Sequence, residues 1–374
     1  MDGVRLRALG VDPGTKNFDI CCIEDDAAHV ILDESISTDI VAEDSTYVLK
    51  IIKSVEPDVI LGPSGYGLEF KHITQFTVED VALTTLDKKG DAEIPVLLGL
   101  RKMLWMMKED GLNAYSVPGI ILLPTIPPHR KASKIDMGTA DKTCVAAMAI
   151  WDQAEEYGVS YKETSLICVE MGFGYNAAIA VENGQIIDGV GGTIFPGPGY
   201  LSPGQMDGEL AYILGKISKL DLFQSGVTFI AADKVVEVDD FFANVGEERH
   251  QVALASMVEG IVKAVAMLLT VFNKQPREII LTGRLSRVNV LQRCLEKVLG
   301  EKFGIATRRT KHNFAKKSKE AAQGAALLAN GIFGGKYADL AETLRVKEAK
   351  GTVLDYIYFK RFNKKQVLER LRYT

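Results

Sequence analysis

Short apolar segments alternate with turns in the N-terminal part of the chain. Three of them, at residues 6–11, 18–24 and 28–37, have the length and apolar content of β-strands. Residues 46–55 follow with apolar positions at helical spacing, and residues 59–61 form a short apolar run. This order predicts a three-stranded meander, then a helix, then a buried strand.

The same order of patterns returns in the second half of the chain. Three strand-like segments precede a long apolar helix and another strand, and a helix, a strand and an alanine-rich helix complete the pattern. The predicted strands are 166–171, 176–181, 185–190, 278–281 and 304–307, and the predicted helices are 248–273, 288–299 and 318–332. The repeat predicts an α/β fold of two related lobes with a ligand cleft between them.

An insertion at about residues 91–141 separates the two repeats. It contains an amphipathic helical pattern at residues 97–107 and a proline-rich loop at residues 124–128. Insertions of this kind often carry specificity. The predicted domains are an N-terminal lobe at residues 1–145, a C-terminal lobe at residues 146–335 and a C-terminal extension at residues 336–374.

Composition and charge narrow the class of protein. The chain has 374 residues and is 47% hydrophobic, which is enough for two domains with their own cores. Its net charge of -5 offers no general attraction to nucleic acid, and five cysteines without a C-x-x-C pair indicate a reduced, intracellular protein. We find no signal-peptide pattern, and the most membrane-like segment, residues 261–272, contains Lys263 and is shorter than the ~20 residues of a spanning helix. We therefore expect a buried helix there and a cytoplasmic protein.

The turn between the first two strands carries candidate phosphate-binding chemistry. Asp12 ends a buried strand, Gly14 permits a close hairpin, and Thr15 and Lys16 can face a phosphate together with backbone N–H groups. An aspartate at this position can hold Mg²⁺ through water, because the ion keeps much of its hydration shell. An ordinary Asp-Pro-Gly hairpin is the structural alternative.

The second repeat carries a similar turn at the corresponding place. Gly172 and Gly174 lack side chains where phosphate oxygens would approach, and Glu170 matches the position of Asp12. A Gly-x-Gly pattern alone is weak, but two such turns at equivalent places would face one polyphosphate from both sides. We therefore predict a phosphate site between them.

A third turn follows the predicted strand at residues 278–281. Gly283 and Arg284 come directly after that strand and before a helix, where the backbone can pass close to a base or ribose. The alternative is a plain strand-to-helix turn, with Arg284 in solvent.

These three turns resemble the two phosphate motifs and the adenosine motif of the acetate-kinase, sugar-kinase, Hsp70 and actin (ASKHA) superfamily. The resemblance extends to about residue 335. Within the superfamily, the Gly-x-Gly turn at residues 172–174, the Asn-Gly hairpin at residues 183–184 and the Ser-Pro loop at residues 202–203 are similar to those of butyrate and acetate kinases. The chain looks most like a mainly archaeal family described as predicted butyrate kinases (DUF1464-like).

The resemblance implies two ribonuclease-H-like, actin-like ATPase lobes that bind ATP and Mg²⁺ in the cleft between them. It also implies transfer of the γ-phosphoryl group to a small carboxylate. The implied assignments are Mg²⁺ at Asp12 and Glu170, the γ-phosphate at Gly14, Thr15 and Lys16, the β-phosphate at Gly172 and Gly174, and the adenosine at Gly283 and Arg284.

The chain departs from acetate and butyrate kinases at charged positions. Those relatives carry arginines in the loops that match residues 62–67 and 204–207, and a histidine where this chain has Glu170. Because catalysis of phosphoryl transfer depends on positioned positive charge, another cation must replace them, or the substrate differs.

The stretch at residues 130–142 is the predicted source of that charge, since it gathers four cations beside two carboxylates. We expect Arg130 or Lys134 to bind the acceptor anion, and Asp136 or Asp141 to orient or deprotonate it. A solvated loop that leads into a helix is the alternative.

The leading hypothesis is therefore an ATP-dependent kinase for a butyrate-like or acetate-like acid. The alternatives are an ATPase that drives a protein partner and an ATP-sensing protein that has lost its chemistry. The expected partner is a small carboxylate-like molecule, with neither nucleic acid nor a membrane, and a homodimer stays open beside a monomer.

Overall fold

A computed structural model describes residues 5–373 of the chain. Its strands are β1 (Arg7–Pro13), β2 (Asn17–Glu24), β3 (Val30–Ser37), β4 (Val59–Leu61), β5 (Ala114–Tyr115), β6 (Ser165–Met171), β7 (Asn176–Glu182), β8 (Gln185–Val190), β9 (Glu278–Thr282) and β10 (Ala306–Arg309). Its helices are α1 (Thr38–Glu43), α2 (Ser45–Ser54), α3 (Val78–Thr85), α4 (Pro95–Glu109), α5 (Pro128–Lys131), α6 (Ala140–Tyr157), α7 (Gly208–Leu214), α8 (Val227–Ala232), α9 (Val238–Ala243), α10 (Glu248–Leu269), α11 (Asn289–Phe303), α12 (Glu320–Ile332), α13 (Ala338–Leu344) and α14 (Lys364–Arg370).

The strands form two five-stranded sheets of the same topology, in the orders β3-β2-β1-β4-β5 and β8-β7-β6-β9-β10. In each sheet the first three strands make an antiparallel meander, and the last two add in parallel beside the first. The predicted α/β fold of two related lobes is confirmed. The pattern does not predict α1, α3, α7, α8 or α9, because helices of eight residues or fewer show little periodicity.

Two long helices form a layer shared by both sheets. Helix α12 packs on β1, β2 and β4 of the first sheet and along α6, whereas α6 packs on β6 and β7 of the second. Gly10 allows the close approach of α12, since an added Cβ would lie 2.3 Å from the carbonyl oxygen of Ala322. Residues 318–332, expected in the C-terminal lobe, thus pack against the first sheet.

Strand β6 is buried on both faces, which explains its four consecutive apolar residues at 166–169. Alternate side chains point to opposite faces of a strand. Leu166 and Cys168 therefore join the core that contains α6 and α12, while Ile167, Val169 and Met171 join a second core. The second core also holds the inward faces of α10 and α11.

Helix α10 is long and apolar enough, by length and composition, to cross a membrane. It also packs on α8 and β7, and its side chains Met257, Ile261 and Val265 are fully buried in the second core. Burial in this core accounts for the apolar residues on the inward face of the helix.

The C-terminal extension packs on the N-terminal lobe. Leu354 is buried in the first core, and Leu371 pairs with Lys88 in an isolated β-bridge. Arg372 donates its backbone N–H to the Asp87 carbonyl at 2.8 Å. The extension is thus part of the first lobe's packing.

Candidate functional site

A cleft between the two sheets is lined by residues of both lobes and by the first turns of α6 and α12. It brings together most of the residues singled out in the sequence. Those that line it are Asp12, Gly14, Thr15, Lys16, Asp136, Asp141, Glu170, Gly172, Gly174 and Arg284.

The two glycine turns meet across this cleft. Gly14 and Gly172 each donate a backbone N–H to the carbonyl three residues later, over 3.0 and 2.9 Å respectively, so the two turns close in the same way. An added Cβ on Gly174 would lie 2.6 Å from Thr15 Oγ1. The turns therefore touch, and the contact leaves no room for a larger residue at position 174.

One ammonium lies among buried carboxylates behind the turns. Asp12 ends β1 and Glu170 lies in β6, and they are 7% and 8% exposed. Asp141 and Lys142 lie in the first turn of α6, where Lys142 Nζ contacts the Asp141 carboxylate and lies 3.2 Å from Glu170 Oε2. Strand ends from both lobes and a helix start thus converge on one charged cluster.

Burial and mutual repulsion shift the titration of this cluster. Burial, together with the Asp141 carboxylate, raises the pKa of Asp12 to about 6. Burial raises the pKa of Glu170 to about 7, against the opposing effect of Lys142. Burial alone would lower the pKa of Lys142, but the carboxylates of Asp141 and Glu170 raise it. The cluster therefore holds more negative charge than the fold compensates.

Glu170→Gln should stabilise the ligand-free protein more at high pH than at low pH. The folded pKa of Glu170, about 7, lies above the usual value, so ionisation of this group destabilises the folded state as pH rises. Removing the charge should therefore give a gain in unfolding free energy that grows by ~2 kcal/mol between about pH 5 and about pH 8.

Urea unfolding of both proteins across this range measures the difference. Glu342→Gln, at an exposed position of α13, is the matched control and should show no such trend. A gain for Glu170→Gln that does not change with pH would contradict the assignment.

The cluster fits a magnesium ion held through water. No group of three or more His, Cys, Asp or Glu side chains within residues 5–373 forms a ready metal cage. Mg²⁺ does not need one, because it keeps several waters and binds one or two carboxylates together with phosphates. Glu170 Oε2 is buried, and its one charged neighbour within ion-pair distance among the described residues is the Lys142 ammonium at 3.2 Å. A hydrated cation beside Asp12 and Glu170 would satisfy this oxygen.

Two long helices begin at the cleft. Residues 139–142 at the start of α6 and residues 319 and 321 at the start of α12 belong to its lining. The N-terminus of a helix carries free N–H groups and a partial positive charge, both of which favour anions. The site thus combines donors for an anion with carboxylates for a cation.

Two of the predicted cations contact the opposite lobe. Lys16 Nζ lies 2.7 Å from Glu237 Oε1 and 5.2 Å from the centre of the Phe173 ring. Arg284 donates to the side-chain oxygen of Asn17. Both side chains line the cleft and stand at its lobe-to-lobe boundary.

Gly283 lies directly behind the carboxylate cluster and is not in the cleft lining. Its φ is +81°, and an added Cβ would lie 2.6 Å from the Met171 carbonyl oxygen and 2.8 Å from Glu170 Oε1. Glycine is therefore required here by the backbone conformation and by the close approach of β6.

The structure places Arg130 and Lys134 outside the cleft lining. Arg130 donates to the Ile187 carbonyl at 2.6 Å, and its Nε lies 3.8 Å from Asp188 Oδ2, so it is held against β8. Lys134 Nζ donates to the Arg130 carbonyl at 2.8 Å. The stretch at residues 130–142 does bring a cation into the cleft, but that cation is Lys142, the last residue of the stretch.

Asp136 lines the cleft, yet both of its carboxylate oxygens have protein partners. One accepts hydrogen bonds from the backbone N–H and hydroxyl of Thr193 at 2.9 and 3.0 Å. The other accepts from the Gly138 N–H at 3.2 Å. The contacts give Asp136 a role in joining the loop to the second lobe, in place of the acceptor chemistry considered for it.

Two lysines that line the cleft are not among the residues predicted from the sequence. Lys319 precedes α12, contacts the carboxylate of Asp19 and lies within electrostatic reach of Asp12. Lys219 is 9% exposed and donates to the Tyr66 hydroxyl at 3.0 Å. A lysine just before an apolar helix is a usable signal for the first, whereas no local pattern marks the second.

Comparison with known proteins identifies a family. A family model with the description "Protein of unknown function (DUF1464)" matches residues 10–359. None of the curated proteins matches the sequence.

Solved structures match the fold over most of the chain. A propionate kinase from Francisella tularensis aligns with a TM-score of 0.59 and 14% identity, over 85% of this chain and 98% of that one. An acetate kinase from Porphyromonas gingivalis aligns with a TM-score of 0.57 and 15% identity, over 85% of this chain and 98% of that one. An acetate kinase from Entamoeba histolytica aligns with a TM-score of 0.55 and 11% identity, over 82% of this chain and 96% of that one. At these identities the likeness shows the fold alone, and this fold agrees with the two-lobed α/β fold expected from the sequence.

Proposed function

The chain belongs to the DUF1464 family, and we propose that it is an ATP-dependent phosphotransferase that transfers the γ-phosphoryl group of MgATP to the carboxylate of a small acid. The observation that carries the proposal is the contact of the two glycine turns beside the buried carboxylate of Asp12. The kinases of similar fold are named for acetate and propionate, which supports a small acid as acceptor. The proposed location is the cytoplasm.

The protein's own groups bind and orient the nucleotide. The N–H groups of the two turns and of the starts of α6 and α12 would bind the phosphates, with Lys16 beside the first turn. Arg284 is the proposed adenosine contact, and Gly283, which lies behind the cleft lining, gives the turn the backbone conformation that presents Arg284. Asp12 and Glu170 would hold Mg²⁺ through water, and the ion would supply positive charge that offsets part of the negative charge of the phosphates.

Lys142 is the proposed cation that replaces the arginines missing from the neighbouring loops. As the acceptor oxygen bonds to the γ-phosphorus and the bond to the ADP oxygen breaks, negative charge spreads over the equatorial oxygens. A buried ammonium next to those oxygens acts strongly, because little water screens it. Asp141, which contacts Lys142, would hold the ammonium in place.

No general base is needed for this reaction. A carboxylic acid with an ordinary pKa is ionised at neutral pH, so its oxygen attacks without losing a proton. The proposal therefore gives Asp141 a positioning role and gives Arg130 none.

Saturating MgATP should raise the thermal unfolding midpoint. A ligand that binds only the folded state stabilises it by mass action, by ~2.7 kcal/mol at a concentration one hundred times its dissociation constant. Differential scanning calorimetry measures the shift, with MgCl₂ alone as the control. Absence of both a shift and a heat of binding would count against the cleft as a nucleotide site.

The transfer itself is tested by incubating the protein with MgATP, hydroxylamine and a panel of short monocarboxylic acids. An acyl phosphate product reacts with hydroxylamine, so the expected result is acid-dependent hydroxamate together with ADP. ADP release that no acid changes would favour an ATPase, and MgATP binding without ADP release would favour an ATP sensor.

A further inference from the structure

The second lobe places a buried ammonium in the cleft without a counter-ion. Lys219 is 9% exposed, and its Nζ donates to the Tyr66 hydroxyl at 3.0 Å and lies 4.6 Å from the centre of that ring. In the described part of the chain, no carboxylate lies within the 4.0 Å that defines an ion pair with it. A buried charge without a partner is costly, so this site favours an anionic ligand.

Apolar side chains line the same cleft. Tyr175 and Phe223 pack edge to face with their ring centres 5.1 Å apart, and helix α4 of the first lobe contributes aliphatic side chains. The buried valines and leucines in the lining are Val11, Val96, Leu97, Leu100 and Val117. A ligand that reaches Lys219 therefore finds surface suited to hydrocarbon.

We propose that Lys219 and Tyr66 bind the carboxylate of the acceptor, and that its hydrocarbon chain packs on the apolar residues of the cleft. This inference rests on the proposed phosphotransferase function. One carboxylate oxygen forms the new bond to the γ-phosphorus, while the bond from that phosphorus to the ADP oxygen breaks and ADP leaves with the electron pair. The other carboxylate oxygen stays on the ammonium, which offsets repulsion between the two anions.

The preferred acceptor is a monocarboxylate with an aliphatic chain of several carbons. A hydrocarbon chain in an apolar cleft gains affinity with each CH₂ group that it buries, whereas a second carboxylate would lose its water against the same apolar side chains. Butyrate should therefore bind better than acetate or succinate.

Both lobes are needed to complete this subsite. Tyr66 belongs to the first lobe and Lys219 to the second. The backbone N–H of Lys219 donates to Oδ2 of Asp91, a residue of the first lobe, over 3.4 Å. Lys88 Nζ donates to the Ile217 carbonyl at 3.1 Å, which ties the same segment to the first lobe. The acceptor is thus bound where the lobes close and water is excluded.

The triphosphate has other cations nearby, which argues that Lys219 serves the acceptor. Lys16 belongs to the first glycine turn. Lys142 lies in the first turn of α6, and Lys319 directly precedes α12. A Lys219 variant should accordingly affect the acid far more than ATP.

The test compares Lys219→Met with Lys216→Met, an exposed lysine of the same segment. Steady-state assays give KM for butyrate, KM for ATP and kcat, and calorimetry with MgADP present gives butyrate binding without turnover. We expect Lys219→Met to raise the KM and the dissociation constant for butyrate at least about tenfold. This corresponds to a loss of ~1.4 kcal/mol in binding free energy. The ATP KM should change less than about twofold, Lys216→Met should match wild type, and Lys219→Arg should recover part of the affinity.

Three results would overturn the inference. They are unchanged butyrate binding in Lys219→Met, a larger change in the ATP KM than in the butyrate KM, and failure of wild type to bind butyrate in the presence of MgADP. Failure of the proposed function would look different, because wild type would then transfer phosphate to no acid in the hydroxylamine assay. Circular dichroism and thermal midpoints establish that each variant is folded.

Discussion

Replacing Asp12 by asparagine is expected to reduce Mg²⁺-dependent turnover at least about a hundredfold and to leave the fold intact. The carboxylate stands at the end of β1, is 7% exposed and lines the cleft beside the two glycine turns. Asparagine has nearly the same shape but no charge, so it loses the proposed hold on Mg²⁺ and keeps the packing. Asp12→Ala should lose activity as well.

The stability of this variant provides an internal check. Because burial and Asp141 raise the pKa of Asp12 to about 6, ionisation destabilises the folded protein as pH rises towards that value. Asp12→Asn should therefore be at least as stable as wild type at neutral pH. Loss of turnover together with this stability would separate a chemical role from a structural one.

The assay for Asp12 is ADP production at several Mg²⁺ concentrations. Asp339→Asn, an exposed aspartate of α13, serves as the matched control and should keep wild-type rates. Asp12 would be removed from the mechanism if its asparagine variant kept the wild-type rate and magnesium dependence.

Lys142→Met is expected to lower kcat at least about a hundredfold and also to destabilise the protein. Methionine removes the ammonium that contacts Asp141 and lies 3.2 Å from Glu170 Oε2, so both carboxylates lose their compensation. Breaking a buried ion pair by removing one partner typically costs ~3 kcal/mol or more. A loss of activity alone would therefore be ambiguous.

A double variant resolves this ambiguity. Lys142→Met combined with Asp141→Asn removes an uncompensated carboxylate whose only proposed role is to hold Lys142 in place. The double variant should therefore recover part of the lost stability, while kcat should stay low. Lys347→Met, at an exposed position of the C-terminal extension, controls for loss of a lysine. Recovery of kcat in parallel with stability would make Lys142 a structural residue only.

Most of the architecture follows from the amino-acid sequence alone. Strand and helix periods are local properties, so the meander at residues 6–37 and the second at residues 165–190 can be read directly, as can the long helix α10. The glycine turns are also readable, because a turn between two strands carries its chemistry in consecutive residues. Their repetition is enough to predict that Asp12 and Glu170 occupy equivalent strand ends, and the shared topology of the two sheets agrees with it.

Tertiary packing, by contrast, sets which cations reach the cleft. Within one short stretch, the Arg130 side chain bonds to the Ile187 carbonyl of β8 and stays out of the cleft lining, whereas Lys142 at the start of α6 lines the cleft. The direction of a side chain follows from the packing of its element, which composition does not encode.

The same holds for partners far apart in the sequence. Helix α12 crosses to the first sheet and brings Lys319 to Asp19, 300 residues away. Lys219 meets Tyr66 across 153 residues and two lobes, and it does so in a segment without marked periodicity. Such contacts depend on how the two sheets and their shared helices pack together, and local sequence patterns carry no information about that packing.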